Sequence, residues 1–305
     1  MAFYHPMQGY RSAEVTKNGK RKIVFSPQKG YIDLPVKVAC GQCIGCRLER
    51  SRQWAIRCMH EAQMHEENSF VTLTYSDEHL PEGGKLVLDH FQRFFKRLRK
   101  RVGVPVRYYH CGEYGETFGR PHYHACIFGY GFPDRVLWSY SNGQPLYSSQ
   151  ELSDLWPYGH VLIGEVTFDS AAYVARYIMK KISEGHDIDS SMKWAQKYVD
   201  WSTGQILNPE YTTMSRRDGI GKNWLEKYLP DVYPHDYVVI NGVKCKPPKY
   251  YDNVLQVSRP YEFDDIKENR LTRINEHADN NTPDRLAVRE SITKARLKML
   301  PRTVD

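Results

Sequence analysis

The 305-residue chain lacks any long apolar run. No stretch approaches the roughly 18 consecutive apolar residues needed to cross a bilayer. Its opening stretch, "MAFYHPMQGYRSAEVTKNGK", has no apolar core of a secretory signal. The expectation is a chain with no membrane partner that stays where it is made. Acidic residues are in deficit: 36 Asp and Glu face 43 Lys and Arg, a formal net charge of +7. That tilts the choice of partner toward a polyanion. No internal repeat is present, which excludes solenoids and propellers. The seven cysteines are an odd number and cannot all pair. Without an export signal they point to reduced thiols or metal, not a disulfide framework.

Tyrosine is abundant, with 22 residues, which suits surfaces that stack on bases or bury half-polar rings. The element pattern is mixed. Residues 47–67 are rich in helix formers. "SFVTLTYS" (69–76) reads as a buried strand from Phe70, Leu73 and the β-branched Val71, Thr72 and Thr74. Asp89 is a candidate N-cap for a helix in which Phe91, Phe94, Phe95 and Leu98 share one face. Arg93, Lys96, Arg97, Lys100 and Arg101 line the other face and offer phosphate contacts. Strands follow at 104–113, 122–129 and 160–167. Asp169 or Ser170 then caps a helix over 171–184. Strands and helices mix without strict βαβ repetition, so the fold class is α+β with an antiparallel sheet and flanking helices. The long 130–159 connection should hold small elements of its own or be functional. Its Tyr and Trp side chains offer stacking surfaces for single strands. Three regions are expected: 1–66 with a cysteine cluster and a helix, a 67–190 core, and a charged, partly helical 191–305 extension.

"GRPHYHACIFG" (119–129) places His122 and His124 at i and i+2 of a strand, on one face. A bare H-x-H is by default two polar residues facing solvent; a third ligand changes that. Glu113 ends the strand that forms a hairpin with this one, so its carboxylate can reach the same face. Glu116 competes, from the predicted turn. Two histidines and a carboxylate with open positions suit Mg²⁺ or Mn²⁺ working on a phosphate ester.

"YVARYIMKK" (173–181) puts Tyr173 and Tyr177 one helical turn apart on one face, with Lys180 and Lys181 just beyond. The default reading is two core tyrosines. The sharper one is a pair of nucleophiles that attack a phosphodiester, with a lysine lowering a phenol pKa or holding a phosphate oxygen. Cys40, Cys43 and Cys46 form C-x₂-C-x₂-C. These are incidental thiols in a tight turn or a structural Zn²⁺ site, for which Cys58 or His60 would supply the fourth ligand. Cys111, Cys126 and Cys245 read as lone buried thiols.

"FVTLTY", "RPHYHACIFG" and "YVARYIMKK", in this order and spacing, resemble the three motifs of HUH endonucleases that initiate rolling-circle replication. More narrowly, the chain resembles the replication initiators of microviruses of the gokushovirus branch, over roughly 1–230. "CGQCIGCRLERSRQWAIRCMHEA" and "MSRRDGIGKNWLEKY" share that family's look. The resemblance implies an RRM-like core with an antiparallel sheet of about five strands. It implies metal ligands His122, His124 and Glu113 and nucleophiles Tyr173 and Tyr177. It implies nicking of double-stranded replicative DNA at the origin, a 5′-phosphotyrosine link, later rejoining, and host polymerase and helicase as partners in the bacterial cytoplasm. Two other readings stand beside it. One is a transposase or relaxase of the same superfamily. The other is a non-enzymatic single-strand-binding module, which would carry sheet aromatics in place of the histidine pair.

Overall fold

A computed structural model describes residues 3–16, 21–115, 118–141, 143–180, 196–200 and 204–299; side chains 176–180 and 200 lie outside the description. Two compact units are found: one joins the residues up to Arg50 with those from Lys267 onward, the other is Ser51–Ile266.

The elements begin with strands β1 (Pro6–Val15), β2 (Arg21–Val24) and β3 (Gly30–Ala39) and helix α1 (Ile44–Ala62). Strand β4 (Asn68–Thr74), helix α2 (Leu88–Val102) and the hairpin β5 (Arg107–Tyr114) and β6 (Pro121–Phe128) follow. Next come strands β7 (Val136–Ser141) and β8 (Gln144–Ser148), helix α3 (Gln150–Leu155), strand β9 (Val161–Gly164) and helix α4 (Phe168–Lys180). Short strands β10 (Val199–Asp200), β11 (Gln205–Ile206) and β12 (Tyr211–Met214) precede a helix at Lys222–Val232. The hairpin β13 (Val238–Ile240) and β14 (Val243–Cys245) leads to helices at Lys249–Ser258, Pro260–Glu276 and Pro283–Met299.

The main sheet is antiparallel, as expected, but larger than about five strands. Its order is β12-β5-β6-β4-β9-β8-β7. Strand β12 is recruited from beyond the core, and the 130–159 connection folds into the β7–β8 hairpin and α3. The four central strands fall where alternating and β-branched residues placed them.

Strand alternation gives the sheet two faces. Val71, Leu73, Tyr123, Ala125, Ile127 and Ile163 pack against Phe91, Phe94, Phe95 and Leu98 of α2. Phe70, Tyr109, Cys111, Cys126 and Phe128 face the other way, onto Ala55 and Cys58 of α1 and Ala171, Val174 and Ala175 of α4. On a further side of α1, Ile56 meets Leu225, Leu229, Tyr251 and Leu255. The "RRDGIGKNW" segment docks there: Ile220 is buried, and the Gly221 N–H donates to Glu61 Oε2 at 2.7 Å. Gly221 has φ +78°, and a Cβ there would sit 2.6 Å from the Tyr251 hydroxyl.

Both expected helix caps are corrected. Asp89 lies inside the first turn of α2, not at its cap; Val87 precedes the helix, its N–H held by Tyr123 Oη at 2.9 Å. Tertiary packing sets that start. For α4 the cap is Thr167. Its Oγ1 accepts from the Ser170 N–H at 3.1 Å, and Ser170 Oγ accepts from the Thr167 N–H at 2.8 Å. This is a reciprocal capping box with serine in the usual Glu position.

Candidate metal and nucleophile site

The β5–β6 register sets Glu113 directly opposite His122, and β4–β6 sets Thr72 opposite His124. All four side chains fall on the α1/α4 face. His122 Nε2 lies 2.8 Å and His124 Nε2 2.9 Å from the same carboxylate oxygen, Glu113 Oε1. Glu113 is 1 % exposed. Burial alone would raise its pKa, but the hydrogen bonds and charges of His122 and His124 outweigh burial and hold it below the ordinary carboxylate value.

The donor set fits a divalent cation. His122 Nδ1 sits 3.1 Å from the Arg120 carbonyl, which can only accept. That nitrogen therefore carries the ring proton and Nε2 presents a lone pair toward Glu113. His124 Nδ1 is 3.0 Å from Thr72 Oγ1, a partner that fixes the ring. Two imidazole nitrogens and a carboxylate oxygen converging this closely require a proton or a cation between them. Glu113, His122 and His124 thus form a group that could hold a metal, with their ligand atoms within 4.8 Å of one another.

Tyr173, from α4, joins this group. Its hydroxyl donates to Glu113 Oε1 at 3.3 Å, and its ring stands edge-on to His124 with centroids 5.1 Å apart. Tyr177 and Lys180 follow on the same helix, with side chains outside the described residues; Lys181 and Glu116 lie wholly outside them.

An open cleft of about 700 Å³ adjoins His122, lined by Thr74–Glu78, Arg120, Pro121 and His160. Two residues there escaped the sequence reading. Arg120 reaches Asp77 Oδ1 at 2.6 Å and the Tyr75 carbonyl at 3.0 Å; its place beside "PHYH" was the available signal. Gly159 lets the next loop pass close, since a Cβ there would collide with the backbone of Thr74–Ser76.

The basic residues of α2 are not brought to this site. They ride on the helix that covers the opposite face of the sheet. Arg93 pairs with Asp89 at 2.7 Å. Arg97 is committed to the fold: its Nε and a terminal nitrogen donate to the Leu155 carbonyl at 3.0 and 2.7 Å. Lys96 and Lys100 are exposed. Of the aromatics in 130–159, Trp156 is buried, whereas Trp138 and Tyr140 on the edge strand β7 are 70 % and 66 % exposed.

Cys40, Cys43 and Cys46 form a second group that could hold a metal. Cys58 does not join it. That residue lies about three helical turns beyond Cys46, wholly buried and hydrogen-bonded to Cys126. His60 is likewise used elsewhere, 2.8 Å from the Tyr251 hydroxyl and stacked on Trp224. Cys111 and Cys126 are buried as expected; Cys245 is only half-buried.

Comparison with known proteins supplies a family. The profile of a replication-associated protein family, that of the ORF2 type, matches residues 68–182. The chain is 36 % identical over 258 residues to replication-associated protein VP4 of Bdellovibrio phage phiMH2K, covering 81 % of this chain and 76 % of that protein. It is 35 % identical over 263 residues to replication-associated protein ORF2 of Spiroplasma virus 4, covering 81 % and 76 %. Replication-associated protein ORF4 of Chlamydia phage 1 matches at 33 % over 245 residues, 77 % of this chain and 58 % of that protein. No solved structure gives a significant match.

Proposed function

The chain belongs to the family of phage replication-associated proteins, the rolling-circle initiators of the microviruses, and from that premise we propose that it is a metal-dependent DNA nickase and strand transferase. It acts at the origin of the double-stranded replicative DNA, on an unpaired segment, in the cytoplasm of the bacterial host. The observation that carries this reading is the Tyr173 hydroxyl 3.3 Å from the carboxylate oxygen that both histidines meet.

A cation held by Glu113, His122 and His124, Mg²⁺ or Mn²⁺, would polarise a phosphoryl oxygen and offset charge in the transition state. Tyr173 Oη attacks the phosphorus. The bond from phosphorus to the 3′ oxygen breaks, and the phenol proton ends on that departing oxygen. The products are a 5′-phosphotyrosine and a free 3′-OH. One phosphate ester replaces another, so the step can run backward and rejoin the strand. Arg120, at the cleft beside His122, holds a phosphate of the bound strand. Tyr177 makes the second cut, and Lys180 and Lys181 hold phosphate oxygens or lower a phenol pKa. Lys96 and Lys100, with Arg93, contact DNA away from the scissile bond, with Arg97 contributing through its remaining donors. Host helicase and polymerase extend the freed 3′ end.

The test is denaturing electrophoresis of the protein with end-labelled single-stranded oligonucleotides tiled from its own genome, with Mn²⁺ or with EDTA. We expect an SDS-resistant adduct that needs the metal, persists in either Tyr173→Phe or Tyr177→Phe, and disappears in the double variant. Binding with no adduct under any divalent metal would sink the nickase and leave a binding module.

A further inference from the structure

We propose that Cys40, Cys43 and Cys46 bind one Zn²⁺, and that this ion takes the place of an apolar core in the N-terminal three-stranded unit. This site is separate from the Glu113–His122–His124 group and does not depend on the nickase reading.

The geometry is that of a mononuclear thiolate site. Cys43 and Cys46 sulfurs are 3.5 Å apart, and those of Cys40 and Cys46 are 3.9 Å apart. Tetrahedral Zn²⁺ with Zn–S bonds of about 2.3 Å spaces its sulfurs by about 3.8 Å. A disulfide would bring two sulfurs to about 2.05 Å. Thiolates on separate irons of a cluster would stand farther apart.

Each sulfur also receives a backbone amide. The Cys43 N–H donates to Cys40 Sγ at 3.3 Å, and the Tyr4 N–H to Cys43 Sγ at 3.4 Å. Cys43 further accepts from the Cys46 amide, and Cys46 from the Gly41 amide. Gly41 makes this wrap possible, with φ at +76° in the left-handed region. Burial opposes ionisation of Cys43, but these bonds bring its pKa down to about 7. Burial, then the neighbouring Cys43 and Cys40 charges, push Cys46 up to about 12. Three thiolates cannot share this space without a cation, and binding one releases their protons.

The surrounding unit explains why an ion is needed. Strands pair as β2-β1-β3. Among the described residues up to Arg50, only Gly9, Ser12 and Gly45 are buried. Ile23, Phe25, Ile32 and Leu34 are exposed. From Lys267 onward, Leu286 is the one buried apolar side chain among the described residues. The rest is polar: Tyr4 bonds Thr293 at 2.7 Å, and His5 bonds Glu290 at 2.8 Å. Small folds without an apolar core are commonly closed by metal. The described residues add no fourth Cys, His or carboxylate to the group, so solvent completes the tetrahedron.

The test is metal analysis by mass spectrometry of the full chain, purified under reductant, in wild type and four variants. We expect about one zinc per chain in wild type, in His122→Ala/His124→Ala and in Cys58→Ser. We expect at least a tenfold drop in Cys43→Ser and in Cys46→Ser. X-ray absorption of the wild type should show three sulfur neighbours at about 2.3 Å. Zinc below a tenth per chain with the thiols reduced, or zinc lost with the histidines and kept in Cys43→Ser, would overturn the site. Should both serine variants fail to fold, chelator treatment of folded wild type decides. Release of zinc should open residues 1–50 to limited proteolysis while 68–175 stays resistant. Unchanged resistance after zinc release would overturn the structural role.

Discussion

The two faces of the main sheet come from the same strands, yet one is a dry core and the other carries the chemistry. Their histidines show the difference. His110 points toward α2. It is fully buried, stacked on Phe91 with centroids 3.4 Å apart, and 2.8 Å from Thr213 Oγ1. His124, one strand over, points the opposite way, to Glu113 and Tyr173. Neither residue type nor burial separates them. What separates them is what shares the face: aromatic rings and a hydroxyl in one case, a carboxylate, a second imidazole and a phenol in the other.

The strongest way to break this comparison is to empty one face of its ligands. In His122→Ala/His124→Ala, adduct formation with Mn²⁺ should fall at least about a thousandfold, since the charge stabilisation a bound cation supplies is worth several kcal/mol. The fold should persist, because the α2-side core is untouched; circular dichroism and the thermal midpoint check that. The reciprocal change is Phe91→Ala, which should cost about 3–5 kcal/mol of stability in urea. Its adduct yield per folded molecule should stay within a few-fold of wild type. A variant of either kind that loses both properties together would show that the two faces are not separable.

Much of the catalytic face was readable from sequence because its rules are local. His122 and His124 share a face by strand alternation. Glu113 reaches them because a hairpin brings the end of one strand opposite the start of the next. Tyr173 follows from a helix whose apolar residues face the sheet. What escaped depends on distant partners. Strand β12 lies far along the chain and pairs with β5 through only four residues. The start of α2 is fixed by the Tyr123 hydroxyl, not by Asp89. Arg97 looked like a phosphate contact, yet the Leu155 carbonyl claims it. The β1–β3 sheet gave no hydrophobic signal because it buries almost nothing.

A smaller perturbation sharpens the same contrast. Thr72 touches no proposed substrate; its hydroxyl only positions the His124 ring. Thr72→Val keeps the shape and removes that bond. Partners of this kind are worth about 10–100-fold in metal affinity. Mn²⁺ titration of adduct formation should therefore move its midpoint up by that factor, with the plateau little changed. Thr213→Val, the matching change beside His110, should leave the midpoint where it is. A midpoint shift in Thr213→Val would mean that His110 feeds the metal site through the sheet.

The smallest effect separates the two histidines by their protons. Burial holds the His110 pKa well below the ordinary histidine value, with the nearby His124 charge acting in the same direction. The folded chain therefore keeps this ring neutral, while the unfolded chain takes up a proton near pH 6.5. The unfolded state binds more protons as pH falls, so stability must fall with it. His110 carries no penalty above about pH 6.5; below that it costs about 1.4 kcal/mol per pH unit. His60, whose pKa burial pulls down to about 3, adds its own slope, but equally in wild type and variant. His110→Gln keeps a partner for Thr213 and cannot titrate. Urea unfolding at pH 7, 6 and 5 should give a shallower loss for the variant, by about 1.4 kcal/mol between the two lower values. Parallel lines would show that the folded chain protonates His110, and the division of the sheet into a neutral core face and a charged working face would fail at its centre.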